Sequence, residues 1–237
     1  MTTKQSILAA AAVTALALGT AGCGSDGGEL DGLSATEVAE RTVEAMNEVE
    51  SLSVDGTFET PDGEMQLQAS ISRAGQCTGT MTMTEQGETE FRSVDGTMYI
   101  KAADEFWDMT GTDGTELNEK IAGRWLAFPD GQGGSPVGSA CDMDQMVAEL
   151  ESEDLGEDLE RIDGEDVDGT PTVGLQKQEG EEVRTTYIAD SGEAYIMKMT
   201  VEGTEDEGSV TYSDYNQKVE VDVPDESDTV SLEEVFS

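Results

Sequence analysis

From residue 51 onward the apolar positions recur at every second residue. Met65, Leu67, Ala69 and Ile71 alternate with Gln66, Gln68 and Ser70. Cys77, Gly79, Met81 and Met83 alternate with Thr78, Thr80, Thr82 and Thr84, and Met98 and Ile100 alternate with Thr97, Tyr99 and Lys101. Each run predicts a strand with one apolar and one wet face, as antiparallel sheet requires. The pattern resumes over 172–178, 182–189, 193–201 and 209–215, and Val219, Val221 and Val223 alternate before Pro224. Two stretches carry the helical period instead. Ser34-Ala35-Thr36-Glu37 is a capping box, followed by Val38, Thr42, Ala45, Met46 and Val49 on one face. Asp142 caps a second helix with Met143, Met146, Val147 and Leu150 on one stripe.

Residues 103–128 break the alternation. Phe106 and Trp107 fall in a turn-like stretch, Leu117, Ile121 and Trp125 are helix-spaced, and 131–138 reads as a loop. Ser53-Val54-Asp55-Gly56-Thr57 recurs as Ser93-Val94-Asp95-Gly96-Thr97, with a partial third copy at Val167-Asp168-Gly169-Thr170. Asp-Gly suits tight hairpins, so the three copies read as three turns. Residues 163–169 lack the first and last acids of an EF-hand loop, which argues against calcium. Residues 149–168 hold eleven acids in twenty positions and read as a solvated helix end plus linker. The order predicts an α+β fold: a curved antiparallel β half-barrel of nine or ten strands with helices packed on its concave side. It occupies residues 34–224 as a single domain, with 225–237 a polar C-terminal tail.

The start of the chain has a different character. Lys4 precedes a run, Ile7 to Leu18, that is apolar except for Thr14, and small residues follow to Gly22. This is the layout of a secretory signal over residues 1–22. Ile7 to Gly22 spans sixteen residues, short of the roughly 20 that a membrane-crossing helix needs. Thr20-Ala21-Gly22-Cys23 resembles a bacterial lipobox, in which the Cys thiol is acylated and becomes the first mature residue. Residues 23–33 then form an acylated Cys and a Gly/Ser-rich flexible tether. Several acyl chains suffice for stable attachment where one is marginal. The expected location is the outer face of the cell membrane.

Composition narrows the chemistry. Residues 1–22 carry Lys4 and no acid, so the mature chain has 11 bases against 53 acids, a formal charge of −42. That argues against nucleic acid as a partner, since phosphates require Lys and Arg. The absence of His excludes Ser-His-Asp and Cys-His catalysis and His-ligated zinc. Any pair among 53 acids meets the bare requirement of glycoside hydrolysis, and nothing singles one out. The expectation is a non-enzymatic protein without a cofactor or metal. With Cys23 used for anchoring, Cys77 and Cys141 remain, an even pair in an oxidising compartment that reads as one disulfide. The alternative is two buried free thiols.

Val-Asp-Gly-Thr-Met-Tyr-Ile-Lys at 94–101, Gly-Arg-Trp-Leu at 123–126 and Tyr-Ser-Asp-Tyr-Asn at 212–216 join the lipobox and the N-terminal helix in a wider pattern. Together they resemble the LppX/LprAFG lipoproteins of actinobacteria, which in turn resemble the LolA/LolB lipoprotein carriers. The resemblance implies helices closing a half-barrel around an apolar cavity, and a role in binding or moving acylated lipids at the cell envelope. The sheet's own apolar face is Met-rich, which suits an adaptable apolar surface. Met81, Met83, Met98, Ile100, Phe106, Met197 and Met199 are candidate cavity residues, together with Trp107 and Trp125 near its mouth. Two readings stay open: a monomeric, membrane-tethered binder of an apolar or acylated lipid, or a structural or protein-interaction lipoprotein with an acidic recognition surface. In the second reading the same methionines fill a solid core.

The anchor is testable directly. Cys23→Ala is expected to abolish fatty-acid labelling in an actinobacterial host and leave an unprocessed precursor. Equal labelling of the two proteins would remove the lipobox assignment.

Overall fold

The structure is a computed structural model that describes residues 28–235 except 62, 109–113, 130–137, 139 and 205–206. The signal segment, Cys23 and nearly all of the 131–138 loop lie outside the described residues. Helix α1 (Ala35–Glu48) opens the fold and five strands follow: β1 (Ser51–Thr60), β2 (Gly63–Ser72), β3 (Cys77–Met83), β4 (Gly87–Val94) and β5 (Thr97–Ala102). Two short helices, α2 (Asp104–Asp108) and α3 (Gly114–Ile121), precede β6 (Trp125–Pro129). Helix α4 (Met143–Glu149) continues into a π-helical turn, Leu150–Asp154. A second meander contains β7 (Glu160–Val167), β8 (Thr170–Glu179), β9 (Glu182–Ala189), β10 (Ile196–Glu202) and β11 (Gly208–Ser213). Strand β12 (Thr229–Ser231) and the single turn α5 (Leu232–Val235) end the described chain.

Among the described residues there is one open sheet of twelve strands, ordered β12-β6-β5-β4-β3-β2-β1-β11-β10-β9-β8-β7. Each pairing is antiparallel except that of β12 with β6. The expected α+β half-barrel is therefore observed, with more strands than the alternation showed. The registers put the predicted apolar positions in rows across one face. Leu52 faces Ile71, Ile71 faces Cys77, Val54 faces Ala69, and Phe91 faces Ile100. Gly79 lies in such a row because a Cβ there would meet the Phe91 ring at 2.5 Å and the Gln68 carbonyl at 2.2 Å. The α1 residues Val38 and Met46 and the α4 residues Met143 and Val147 join the same core. Helical spacing puts them on one stripe of each helix, so both helices cover the apolar side of the sheet.

The helix ends are held by side chains. Ser34 and Glu37 form the predicted capping box: the Ser34 N–H donates to Glu37 at 2.9 Å and the Glu37 N–H to Ser34 Oγ at 3.3 Å. The last turn of α1 has no basic residue of its own. Arg73, in the β2–β3 turn, supplies the charge by donating to the carbonyls of Val49 (2.7 Å), Asn47 (3.3 Å) and Met46 (3.4 Å). The same guanidinium pairs with Asp144 of α4. Cys141, immediately before the N-cap of α4, is disulfide-bonded to the fully buried Cys77 of β3.

Several expectations are corrected. The acidic stretch over 149–168 contains β7, a strand at the sheet edge, where side chains project into water and like charges are tolerated. Asp95-Gly96 and Asp168-Gly169 are hairpin turns with positive φ at both residues (52° and 77°, 52° and 83°). Asp55-Gly56 is not a turn: it lies inside β1, paired with β2 on one side and β11 on the other. The helix expected to reach Trp125 ends at Ile121, and Trp125 begins β6. Val219, Val221 and Val223 form no strand. Their segment crosses the outer face of the sheet instead, with the Ser51 hydroxyl donating to the Gln217 carbonyl at 2.5 Å and Arg92 to that of Asp222 at 2.9 Å. Val219 is buried beneath it and Val223 stands 54% exposed.

Both ends of the expected domain also extend further. The C-terminal tail carries β12 and α5, whose Val230 and Val235 are buried in the core. The tether is docked from Glu29 on. Leu30 is 2% exposed, its N–H donates to Asp190 at 2.9 Å, and Arg161 donates to its carbonyl at 2.8 Å.

The disulfide spans 64 residues and holds α4 against β3. Replacing both cysteines by Ala is expected to lower the unfolding free energy by up to about 4 kcal/mol, the loop-entropy value for such a closure. Urea unfolding of the two proteins measures it. An unchanged midpoint would show that the tie contributes nothing to stability.

Candidate functional site

The concave face divides into a filled half and an open half. Over β3 to β6 the apolar rows are covered by α2, α3 and α5. Phe91, Met98, Ile100 and Leu126 of the sheet lie in one core with Phe106, Trp107, Leu117, Ile121 and Val235. Phe106 and Trp107 pack edge to face at 5.1 Å. Beside this core, Met98, Cys141 and Met143 line a second opening of about 580 Å³ at the start of α4, shared with the polar residues Ser72, Arg73, Asp142 and Asp144.

Over β1, β11 and β10 the cover is thinner. α4 and its π-helical turn lie across these strands and leave a groove of about 280 Å³. Its floor is Phe58, Met199, Val201, Val210 and Tyr212, and its wall is Met146 and Leu150. The registers explain the floor. Met199 faces Val210 across β10 and β11, Gly56 faces Val210 across β1 and β11, and Val54 faces Tyr212. All point to the apolar side. Gly208 and Gly56 leave room for the Phe58 ring: a Cβ at Gly208 would stand 2.6 Å from it and one at Gly56 3.0 Å.

The rim is charged. Glu149, Glu153 and Asp154 come from α4 and its π-helical turn, and Arg184 comes from β9. Arg184 reaches Glu182 at 2.5 Å, Glu153 at 3.3 Å and Asp154 at 3.5 Å. Asp154 is 6% exposed. Burial pushes its carboxyl above the ordinary value and Arg184 pulls it partly back. The Arg184 guanidinium is held charged by its bond to Glu182. Tyr212, also buried, donates its hydroxyl to the Met199 thioether at 3.5 Å. Burial pushes that phenol well above its usual value, and the Asp154 carboxylate adds to the shift. The described residues thus offer an apolar trough, one buried phenolic donor and an acidic rim whose single cation is already paired.

Of the residues singled out from the sequence, Met199 lines the groove. Met98, Ile100, Phe106 and Trp107 belong to the filled half. Met81 is half-buried against the core, and Met83 stands opposite Met65 farther along the same sheet face. Met197 sits at a β-bulge between Ile196 and Lys198, half-buried and outside the groove lining. Trp125 is corrected from the mouth to the opposite face: Leu126 faces Ile100 in the core, so its neighbour points outward. There it is buried under Arg92, 4.5 Å from the ring centroid, and Lys101 at 5.9 Å. Sequence reasoning missed Phe58, Val201, Val210 and Tyr212 as site residues. Alternation makes their strands readable, but it does not say which strands escape a helical cover. Among the described residues no group of His, Cys, Asp or Glu side chains is placed to hold a metal ion, and no helix is long and apolar enough to cross a membrane.

A half-barrel of one open antiparallel sheet with helices on its concave side defines a structural class, and solved structures share it. The chain is similar to LprF from Mycobacterium bovis, with a TM-score of 0.57 and 17% identity over 80% of this chain and 96% of that one. It is similar to the Mycobacterium tuberculosis lipoprotein LppX, with a TM-score of 0.51 and 14% identity over 79% of this chain and 98% of that one. The resemblance noted in the sequence therefore holds at the level of fold. No family model and no curated protein matches the chain.

Asp154 gives stability a pH dependence of defined sign. Its folded-state pKa lies above the unfolded one, so its ionised form is the costly one and protonation favours the fold. Arg184→Ala leaves that carboxylate without its counter-charge and is expected to cost about 1–3 kcal/mol at pH 7. The deficit relative to wild type should shrink as the pH falls through the raised Asp154 pKa. Urea midpoints at pH 7 and in the carboxyl range test this; a deficit constant with pH would show that Arg184 acts otherwise.

Proposed function

We propose that this chain is a non-enzymatic, membrane-anchored extracytoplasmic lipoprotein whose concave groove binds an apolar, acylated ligand in the cell envelope. The observation that carries it is the groove between β1, β11, β10 and α4, where apolar side chains line a space that the core leaves open. Its volume lies near the lower end of ligand cavities, about 300–1,000 Å³. Burial of an acyl chain supplies affinity at about 0.8 kcal/mol per CH₂, with little demand on polar contacts. The similarity in fold to LprF and LppX supports the same reading.

The anchor is the acylated Cys23, following removal of residues 1–22. Leu30 is docked on the domain, so only residues 24–29 separate it from Cys23. Fully extended, such a segment reaches about 20 Å. The domain therefore works close to the outer face of the membrane; we take it to act as a monomer whose partner is an apolar lipid and not a nucleic acid.

The mature protein extracted from an actinobacterial host is expected to carry lipid near stoichiometry by mass spectrometry. Met199→Trp fills the groove and should reduce that load, while Met197→Trp, outside it, should not. Absence of lipid in the wild-type protein, together with no binding of fluorescent acyl probes, would replace this reading with that of an acidic interaction module.

A further inference from the structure

Three features of the groove bear on the polar end of its ligand. The first is Tyr212. It is 5% exposed and lines the groove, and the hydrogen bond its hydroxyl makes goes to the Met199 thioether at 3.5 Å. A thioether is a weak acceptor, whereas a carbonyl oxygen is a strong one. A ligand carbonyl beside Tyr212 would therefore replace a poor bond by a good one. The phenol's elevated pKa keeps the proton in place.

The second is the sign of the rim. Glu149, Glu153 and Asp154 place three carboxylates around the opening, and the rim's cation, Arg184, is already engaged by Glu153, Asp154 and Glu182. An anionic head group entering here meets like charge in a partly desolvated space and finds no free cation among the described residues. The third is size. About 280 Å³ accommodates one chain and not two side by side.

We propose, on the basis of the groove reading, that Tyr212 is the ligand's polar anchor and that the acidic rim selects single-chain acyl esters with uncharged head groups over free carboxylates and phosphorylated lipids. Calorimetric titration of the mature protein with three matched probes tests this: 1-decanoylglycerol, its ether analogue 1-O-decylglycerol, and decanoate. The ester is expected to bind about tenfold tighter than decanoate and about fivefold tighter than the ether. Tyr212→Phe should bring the ester down to the ether's affinity. The ratio is taken within each variant, so a general loss of stability does not imitate it. Glu149→Gln with Glu153→Gln should narrow the gap to decanoate. Decanoate binding as tightly as the ester overturns the rim's role, and an ester-to-ether ratio of one in the wild-type protein overturns that of Tyr212. If none of the three probes binds, the groove reading itself fails and this proposal with it.

Discussion

β1 and β11 lie about 150 residues apart in the chain, yet six antiparallel residue pairs join them, from Ser53 with Ser213 to Phe58 with Gly208. Each of the two meanders on either side can form from local hairpins. Only this pairing makes them one sheet, and only one sheet of this width has a continuous concave face. It also brings Phe58 beside Val210 and Tyr212, so the groove floor exists only where the two halves meet. The turn after β11 reinforces the junction. Asn216 accepts from the Glu50 N–H at 2.8 Å, and its own N–H donates to the Ser51 carbonyl at 2.8 Å. Tyr215 stacks on Tyr195 at 4.3 Å. The Tyr-Ser-Asp-Tyr-Asn motif is therefore a clamp on the seam.

The covers differ on the two sides of the seam. On the β3–β6 side, α2, α3 and α5 bring bulky side chains, two of them large aromatics, down onto the sheet. On the other side, next to α1, the strands under the groove are covered by one short helix whose last turn widens to a π-helix. The wider turn buries Leu150 and Asp154 but leaves the strands beneath partly uncovered. A π-turn of this kind is uncommon and often marks a functional site. The N-terminal end of this helix is tied to β3 by the disulfide, and the π-helical turn that follows it is tied to β9 by Arg184.

Charge is the second constraint. With 53 acids and 12 bases, self-repulsion opposes compaction. Each of the eleven described bases makes a bond to a carboxylate or a backbone carbonyl. Several sit where the chain must be closed: Arg73 at the end of α1, Arg161 on the docked N-terminal segment, Arg92 on the crossing C-terminal segment. Most of the described acids stand exposed, where water screens them. Asp154 is buried despite this rule, and it has Arg184 at 3.5 Å.

Alternation alone determined most of the strands and which of their residues face the core, because a side-chain period of two leaves no freedom once one face is buried. The capping box, the two amphipathic helices and the pairing of the two cysteines were equally local or arithmetical, and all appear in the structure. Three kinds of feature were decided only by tertiary contacts. β7 has no apolar alternation, so its strand conformation comes from pairing with β8 at an edge. Val219 to Val223 has a strand's pattern but follows β11, whose two sides are already taken by β1 and β10, and it crosses the outer face instead. The groove depends on which rows the helices leave uncovered. Met98 and Met199 share a residue type, a pattern and burial, yet the fold sets one beside the polar opening at the start of α4 and the other on the apolar floor under the π-helical turn. Periodicity specifies the face a side chain points to; what stands opposite that face is set by segments far away in the chain.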